Sequence, residues 1–195
     1  MAIKLQTLLN HAKENMGSGM NPVVNETILE VVKLAYAAGI FVQITAGYRS
    51  FREQHELYER GRTNKSKPIV TYARGGQSLH NYGLAVDFVI LSDDGKRALW
   101  TDGEKWTRVA AIAKSLGFVW GGDFELFRDF PHLGMSGGLS TRDLQKGWRP
   151  NLISRVASAI SENEAERENG CSFLGIRTSD CNHLIGISMF LKIKN

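Results

Sequence analysis

The amino-acid sequence predicts an α+β fold, in which helices flank a small and mainly antiparallel sheet. The chain has 195 residues, which is enough for one good hydrophobic core and a small appendage. Hydrophobic residues make up 43% of it and charged residues 23%, as in soluble globular proteins. Helical patterns and short β-type runs follow one another without the regular alternation that builds parallel sheets.

Two helices are predicted near the N-terminus, ahead of the first strand. Residues 3–15 have an amphipathic pattern whose apolar side chains share one stripe. That stripe consists of Leu5, Leu8, Leu9 and Ala12. Asn25 is predicted to cap a second helix that ends near Ala38, just before Gly39. Residues 41–45 then form a β-type run.

A third helix and a basic loop are predicted next. Ser50 and Glu53 have the spacing of a capping box, so we expect a helix that starts there and ends at Gly61. Residues 62–69 form the basic loop. A short strand is predicted at residues 70–72.

The second half of the chain has one more helix, between short strands. The helix starts at residues 102–104 and ends at Gly117. Its inward residues are Trp106, Val109, Ala110, Ala113 and Leu116. Strands are predicted at residues 97–100, 118–120 and 131–135. Because Pro131 has no backbone N–H, the last strand begins at this residue or lies on a sheet edge.

The central stretch Gly75–Ile90 is the part around which the rest of the chain is organised. A polar loop that contains His80 runs there into the apolar segment 84–90, which Asp87 interrupts. A carboxylate inside an apolar strand is costly unless it is paired or holds a metal. The imidazole of His80, seven residues earlier, could reach the same metal if the loop folds back.

A second histidine stands beside a second carboxylate in Asp129–His132. Two histidines and one aspartate around an open fourth position suit a catalytic zinc ion, so we expect His80, Asp87 and His132 to bind one Zn²⁺ per chain. The alternative is that these are ordinary polar side chains without a metal. The Gly-rich segments at 75–76 and 137–138 lack the Lys-Ser/Thr of a phosphate-binding loop.

These residues form a pattern, Ser-x-His-x-x-Gly-x-Ala-x-Asp over 78–87 followed by an acid-x-Pro-His over 129–132. The pattern resembles the zinc peptidases of the D-Ala-D-Ala carboxypeptidase/VanY type, in particular their L-alanyl-D-glutamate endopeptidase branch of phage endolysins and Bacillus wall hydrolases. The resemblance covers roughly residues 5–135. It implies the fold of the Hedgehog and DD-peptidase zinc proteins, which agrees with the α+β prediction.

The resemblance also implies roles for four further residues. Asp129 becomes the candidate general base, which takes a proton from the attacking water and passes it to the leaving amine; Glu125 and Asp123 are weaker rivals. Arg49 is expected to bind substrate and to stabilise the charged tetrahedral intermediate. Ser78 and Gln54 are expected to contact the substrate.

The activity that the resemblance implies is hydrolysis of the L-Ala–D-Glu bond in the stem peptide of bacterial peptidoglycan. D,D- or L,D-carboxypeptidase activity on the same stem is the first alternative. An alternative of another class is a non-catalytic, zinc-containing module that binds the cell wall. We expect a monomer in either case.

Three segments are predicted along the chain. Residues 1–136 form the zinc peptidase domain, and residues 137–150 form a linker rich in Gly and Ser at its start. Residues 151–195 form a small appendage, with a helix at its start and two β-like runs, whose role in wall binding is open. Cys171 and Cys181 both lie in the appendage, and whether they pair is also open.

The charge and the N-terminus bear on partners and location. The net charge of +4 and pI of about 9.1 fit attraction to an anionic wall polymer and to nucleic acid equally well. No nucleic-acid motif is present, so we expect no nucleic-acid partner. Residues 1–6 lack the apolar core of a signal peptide, and no run approaches the roughly 18 apolar residues of a spanning helix. We therefore expect synthesis in the host cytoplasm, no stable membrane insertion, and action on the wall after release.

Overall fold

A computed structural model describes residues 2–63, 65–100 and 103–156 of the chain. Five α-helices are present in this part, namely α1 (Leu5–Met16), α2 (Pro22–Ala37), α3 (Phe51–Glu59), α4 (Gly103–Ser115) and α5 (Thr141–Gln145). The four strands are β1 (Phe41–Ala46), β2 (Ala85–Leu91), β3 (Val119–Trp120) and β4 (His132–Gly134). Two short 3₁₀-helices, Leu79–Tyr82 and Gly121–Asp123, complete the set. The predicted α+β class is confirmed.

The four strands form one antiparallel sheet in the order β1-β2-β4-β3. β4 lies between two neighbours and not at an edge, and it begins at His132, one residue later than the predicted start at Pro131. β2 is one of the two inner strands, and six of its seven residues are buried. This is why its sequence is almost continuously apolar, with Asp87 as the exception.

Helices α1 and α2 pack against β1, and α4 packs against α2 and β3. All five residues predicted to face inward from α4 are buried. The ring of Trp106 lies 4.8 Å from that of Phe88, and its Nε1 donates to the carbonyl of Leu99 at 3.0 Å. The contact between Trp106 and Phe88 therefore packs β2 against α4.

The second helix begins one turn earlier than predicted. Asn21 is its cap, and its side-chain oxygen accepts hydrogen bonds from the backbone of Val23 and Val24. Pro22 occupies the first helical position, where its missing N–H has no cost. An Asn-Pro pair occurs both in turns and at helix starts, and here it starts a helix. The Ser50–Glu53 capping box is confirmed.

Two of the predicted strands do not form. Residues 70–72 have no strand partner, and residues 97–100 contribute only one bridge, between Leu91 and Ala98. A β-type composition alone does not make these segments form strands. A strand also needs a neighbouring strand whose edge is free and close enough for pairing.

Residues 2–155 belong to one compact unit. Within it, the segment 137–150, predicted as a linker, contains α5, whose Leu144 is buried. Residues 151–155 are not helical, although a helix was predicted to start at 151. The rest of the predicted appendage, from 157 onwards, lies outside the described residues. The domain boundaries therefore stay a prediction. In the described part of the chain, no helix is both long and apolar enough to cross a bilayer.

The backbone at Gly83 links the 3₁₀-helix that contains His80 to β2. Gly83 has a φ of +66°, in the left-handed region, and a Cβ there would lie 2.2 Å from the carbonyl oxygen of Gly19. A side chain at this position meets both backbone strain and a steric clash.

We expect Gly83→Ala to lower the free energy of unfolding by at least about 2 kcal/mol, from left-handed strain and overpacking together. Gly103→Ala is the matched control, because a Cβ at Gly103 meets nothing within 4 Å and α4 begins there. This control should be neutral or more stable by up to about 1 kcal/mol. Urea unfolding of both variants measures the difference. Equal stability of the two would contradict the role assigned to Gly83.

Candidate metal centre

The sheet register brings the first two proposed metal ligands together. Asp87 on β2 pairs directly with His132 on β4. On the other side of β2, Asp87 pairs with Ala46 at a β-bulge at the end of β1. Cross-strand partners have Cβ atoms within about 5.5 Å. The two side chains, which are 45 residues apart in sequence, are therefore neighbours.

His80 reaches the same point from the 3₁₀-helix before β2. Its Nε2 lies 3.3 Å from Oδ1 of Asp87, and Nδ1 of His132 lies 3.4 Å from the same oxygen. The two imidazole rings are 5.2 Å apart. One carboxylate oxygen thus faces a ring nitrogen from each histidine.

The donor set fits a zinc ion. One ligand atom from each of His80, Asp87 and His132 lies within 4.8 Å of the other two. Imidazole nitrogen and carboxylate oxygen are common zinc ligands. The Nδ1–H of His80 donates to the carbonyl of Gly47 at 2.8 Å, so in the neutral form of this ring, the form that binds metal, Nε2 carries the free lone pair. Such a hydrogen bond on the far nitrogen is typical of histidines that bind metals.

The charge of Asp87 is balanced by its neighbours. Burial opposes ionisation, but hydrogen bonds from His132 and His80 and the charges of both rings outweigh it, and they hold the pKa of this carboxyl well below its usual range. Nη2 of Arg49 lies 3.7 Å from the other oxygen, Oδ2. Asp87 is therefore ionised at neutral pH, as a metal ligand must be.

Arg49 lies in the loop after β1, where Gly47 permits a close approach of two backbone segments. A Cβ at Gly47 would lie 2.4 Å from Cα of Met16 in α1. Beyond it, the backbone N–H of Arg49 donates to the carbonyl of His80 at 3.0 Å. The structure thus places the guanidinium of Arg49 beside Asp87.

Gln54 was predicted to contact substrate, but its side chain is only 1% exposed. Its Oε1 accepts a hydrogen bond from Nη1 of Arg49 at 2.7 Å, and its Nε2 donates to the carbonyl of Ala73 at 2.8 Å. Both ends of the amide are therefore occupied. This geometry fits a role of Gln54 in positioning Arg49, while its contact with substrate stays a prediction.

Ser78 caps the 3₁₀-helix that contains His80. Its hydroxyl accepts a hydrogen bond from the backbone N–H of His80 at 3.4 Å. The side chain is half-buried. Contact with substrate stays a prediction for this residue.

Asn81 was given no role from the sequence, yet it connects the loops around the site. Its Nδ2 donates to the carbonyls of Arg49 at 2.8 Å and Ser50 at 3.2 Å, and its Oδ1 accepts from the backbone of Gly76 at 2.8 Å. The side chain is buried. Only its position next to His80 in the motif could have drawn attention to it.

Asp129 lies at the rim of the site, on the loop that leads into β4. Its carbonyl accepts from the backbone of His132 at 3.1 Å, and its own N–H donates to Gly121 at 2.9 Å. Burial raises the pKa of its carboxyl, as does the nearby charge of Asp87, while His132 and His80 act in the opposite direction. This environment differs from that of both rivals.

The two alternative candidates for the general base, Asp123 and Glu125, are more exposed to solvent than Asp129. Asp123 is exposed and forms an ion pair with Lys114 at 2.9 Å. Glu125 is exposed on the same loop. Asp129 shares a pocket with both of them and with Phe124, Leu126 and Phe127. Of the three acids, only Asp129 is partly buried next to the histidines.

Comparison with known proteins agrees with this geometry. A profile described as D-alanyl-D-alanine carboxypeptidase matches residues 71–135, which contain all three proposed ligands. The peptidoglycan L-alanyl-D-glutamate endopeptidase CwlK of Bacillus subtilis is 49% identical over 126 residues, which cover 60% of this chain and 74% of CwlK. An L-alanyl-D-glutamate peptidase of a Listeria phage is 30% identical over 125 residues, 62% of this chain and 41% of the phage protein.

Among solved structures, the L-Ala D-Glu endopeptidase ChiX of Serratia marcescens aligns with a TM-score of 0.46 and 24% identity, over 69% of this chain and 90% of ChiX. The likeness to CwlK is much closer in sequence and extends over about three quarters of that enzyme. The chain therefore belongs to the same family as CwlK, the D-alanyl-D-alanine carboxypeptidase family of peptidases.

Proposed function

We propose that this chain is a zinc-dependent peptidoglycan endopeptidase that hydrolyses the L-Ala–D-Glu bond of the stem peptide. The observation that carries the proposal is the convergence of His80, Asp87 and His132 on one point, with Arg49 and Asp129 beside it. The choice of bond is supported by the similarity to CwlK, whose name states this activity.

His80, Asp87 and His132 would hold the zinc ion. When bound, zinc acts as a Lewis acid toward a carbonyl oxygen and lowers the pKa of a coordinated water to about 7. The protein fixes the ligands beforehand: the Gly47 carbonyl orients the ring of His80, and the β2–β4 register orients that of His132. Little rearrangement is then needed when metal binds.

Asp129 acts as the general base. It accepts a proton from the attacking water and transfers it to the nitrogen of the leaving D-Glu residue. Partial burial raises the pKa of this carboxyl above its ordinary value, which makes the ionised form a stronger base. A backbone hydrogen bond from His132 to the carbonyl of Asp129 connects the two residues directly.

Arg49 stabilises the negative charge that develops on the scissile carbonyl oxygen. Its side chain is 20% exposed and lines a pocket, and its guanidinium contacts Asp87 and Gln54. A guanidinium held in advance at the place where charge develops needs no reorganisation during the reaction.

We also propose that the protein acts as a monomer on the cell wall, outside the membrane. All seven predicted site residues lie in one chain and before residue 137, so one chain supplies the whole proposed site. The appendage from residue 151 is proposed to serve a function other than hydrolysis.

Product analysis tests the proposed bond. Purified peptidoglycan is digested with the zinc-loaded protein, and the released peptides are identified by mass spectrometry. New peptides that begin with D-Glu support the proposal. Release of single D-Ala residues would instead identify a carboxypeptidase, and an unchanged digest under zinc would indicate a non-catalytic wall-binding module.

The metal assignment predicts one zinc ion per chain in the wild-type protein. His80→Ala and His132→Ala should lose it, and Asp87→Asn should bind it more weakly, because each removes a ligand atom. His55→Ala is the matched control, since His55 lies exposed on α3 beside Glu59. Elemental analysis with a thermal melt of each variant provides the measurement. Absence of zinc from the wild type, or full zinc content in both histidine variants, would refute the assignment.

The general-base assignment predicts that Asp129→Asn retains zinc and fold and loses about 10²- to 10⁴-fold in kcat/KM. The amide has nearly the same shape but cannot accept a proton from water at neutral pH. Asp123→Asn makes the same chemical change in the same loop and should retain activity near that of wild type. Wild-type rates in Asp129→Asn, or an equal loss in Asp123→Asn, would remove Asp129 from the mechanism.

The positioning role of Gln54 predicts a loss of turnover without loss of metal. Gln54→Leu removes the hydrogen bond to Arg49, and a bond to a charged group contributes about 1.5–3 kcal/mol. We expect kcat to fall by about 10- to 100-fold with zinc content unchanged. Gln54→Glu keeps an acceptor for Arg49 and should recover part of kcat. If only KM rises in Gln54→Leu, the residue binds substrate itself and the positioning role is wrong.

A further inference from the structure

The positive charge of the chain is concentrated in one short segment. Residues 60–74 contain five basic side chains and no acidic one. They are Arg60, Arg62, Lys65, Lys67 and Arg74. Because the whole chain has a net charge of +4, the remaining residues together carry a charge of −1. The basic character of this protein is therefore a local property of the segment 60–74.

Two of the five basic residues hold the segment in place. Nη1 of Arg62 donates to the carbonyls of Tyr58 and Thr71, and its guanidinium lies 3.9 Å above the ring of Tyr58. Nη2 of Arg74 donates to the hydroxyl of Tyr58 at 3.2 Å. Both arginines thus connect the segment to α3.

The base of the loop is closed by a close backbone contact. Gly61 has a φ of +80°, and a Cβ there would lie 2.6 Å from the backbone nitrogen of Ile69. The chain thus returns on itself between these two residues. Lys65 and Lys67 lie in the part that is presented outward, and both are exposed, as is Arg60 at its start.

The segment adjoins the proposed catalytic cleft. Gln54, which binds Arg49, also donates to the carbonyl of Ala73 at 2.8 Å. Arg60 and Arg49 line one pocket together with Tyr48, Glu53, Glu56 and Leu57. The two acids in this pocket have partners on α3, since Glu53 caps the helix through Ser50 and Glu56 pairs with Arg52.

We propose that Arg60, Lys65 and Lys67, here called the basic patch, bind a phosphodiester polyanion of the cell wall and so hold the cleft against its substrate. The proposal rests on the proposed function. A single exposed ion pair contributes only about 0–1 kcal/mol. Several cations spread along one loop therefore suit a repeating anion, whose successive phosphates add up, better than one carboxylate of a stem peptide.

The test compares Lys65→Gln/Lys67→Gln with the matched control Lys13→Gln/Lys96→Gln. Both double variants remove two exposed lysines and change the net charge equally, and none of the four residues belongs to the proposed site. Binding is measured on walls that retain their phosphodiester polymer and on walls from which it has been extracted with acid. Hydrolysis of a soluble stem peptide is measured in parallel.

We expect the patch variant to bind polymer-bearing walls about 5- to 25-fold more weakly at low salt, as for two lysines near an anionic surface. The slope of its log affinity against log salt concentration should decrease in magnitude by about two. Extracted walls should bind wild type and variant alike, and the control should resemble wild type throughout. Cleavage of the soluble peptide should be unchanged.

Three results would overturn the proposal: no loss of binding in the patch variant, an equal loss in the control, or an equal loss on extracted walls. Binding of duplex DNA as tight as that of polymer-bearing walls at the same salt would also overturn it, since the patch would then be a general nucleic-acid surface. If wild type cleaves no soluble peptide, the proposed function fails, while the wall-binding comparison still reports on the patch.

Discussion

The carboxylate of Asp87 in the inner strand β2 is the constraint on which the rest of the site depends. An isolated charge at such a position would be costly. Here two imidazoles and a guanidinium surround it, with atoms 3.3 to 3.7 Å away. Each neighbour comes from a different element, so the three elements must meet at Asp87 for the charge to be compensated. The same convergence creates a set of metal ligands.

The elements that meet at Asp87 are held by contacts with little freedom. His132 is fixed by strand register, whereas His80 is fixed by the left-handed turn at Gly83 and by its bond to Gly47. Arg49 is fixed through the buried amide of Gln54. This organisation agrees with the general requirement that catalytic groups be held by a supporting shell of hydrogen bonds. It also explains why the polar side chains of Gln54, His80 and Asn81 are buried.

Sequence patterns predicted the helices with strong apolar periodicity, such as α4, and the motif identified His80, Asp87 and His132 together. Sequence patterns predicted less well those segments whose structure depends on tertiary contacts. Residues 70–72 have β-type composition but extend along the loop that Gln54 and Arg62 hold, without a strand partner. The bridging role of Asn81 and the burial of Gln54 depend on which loops approach each other, and a single sequence does not contain that information.

The central claim is that His80, Asp87 and His132 bind zinc through two imidazoles and one carboxylate. X-ray absorption at the zinc edge of the loaded protein tests it most directly. We expect two imidazole nitrogens and further nitrogen or oxygen ligands at about 2.0–2.2 Å. A sulfur ligand at about 2.3 Å, or a first shell without imidazole, would contradict it, because the metal would then be held by other residues.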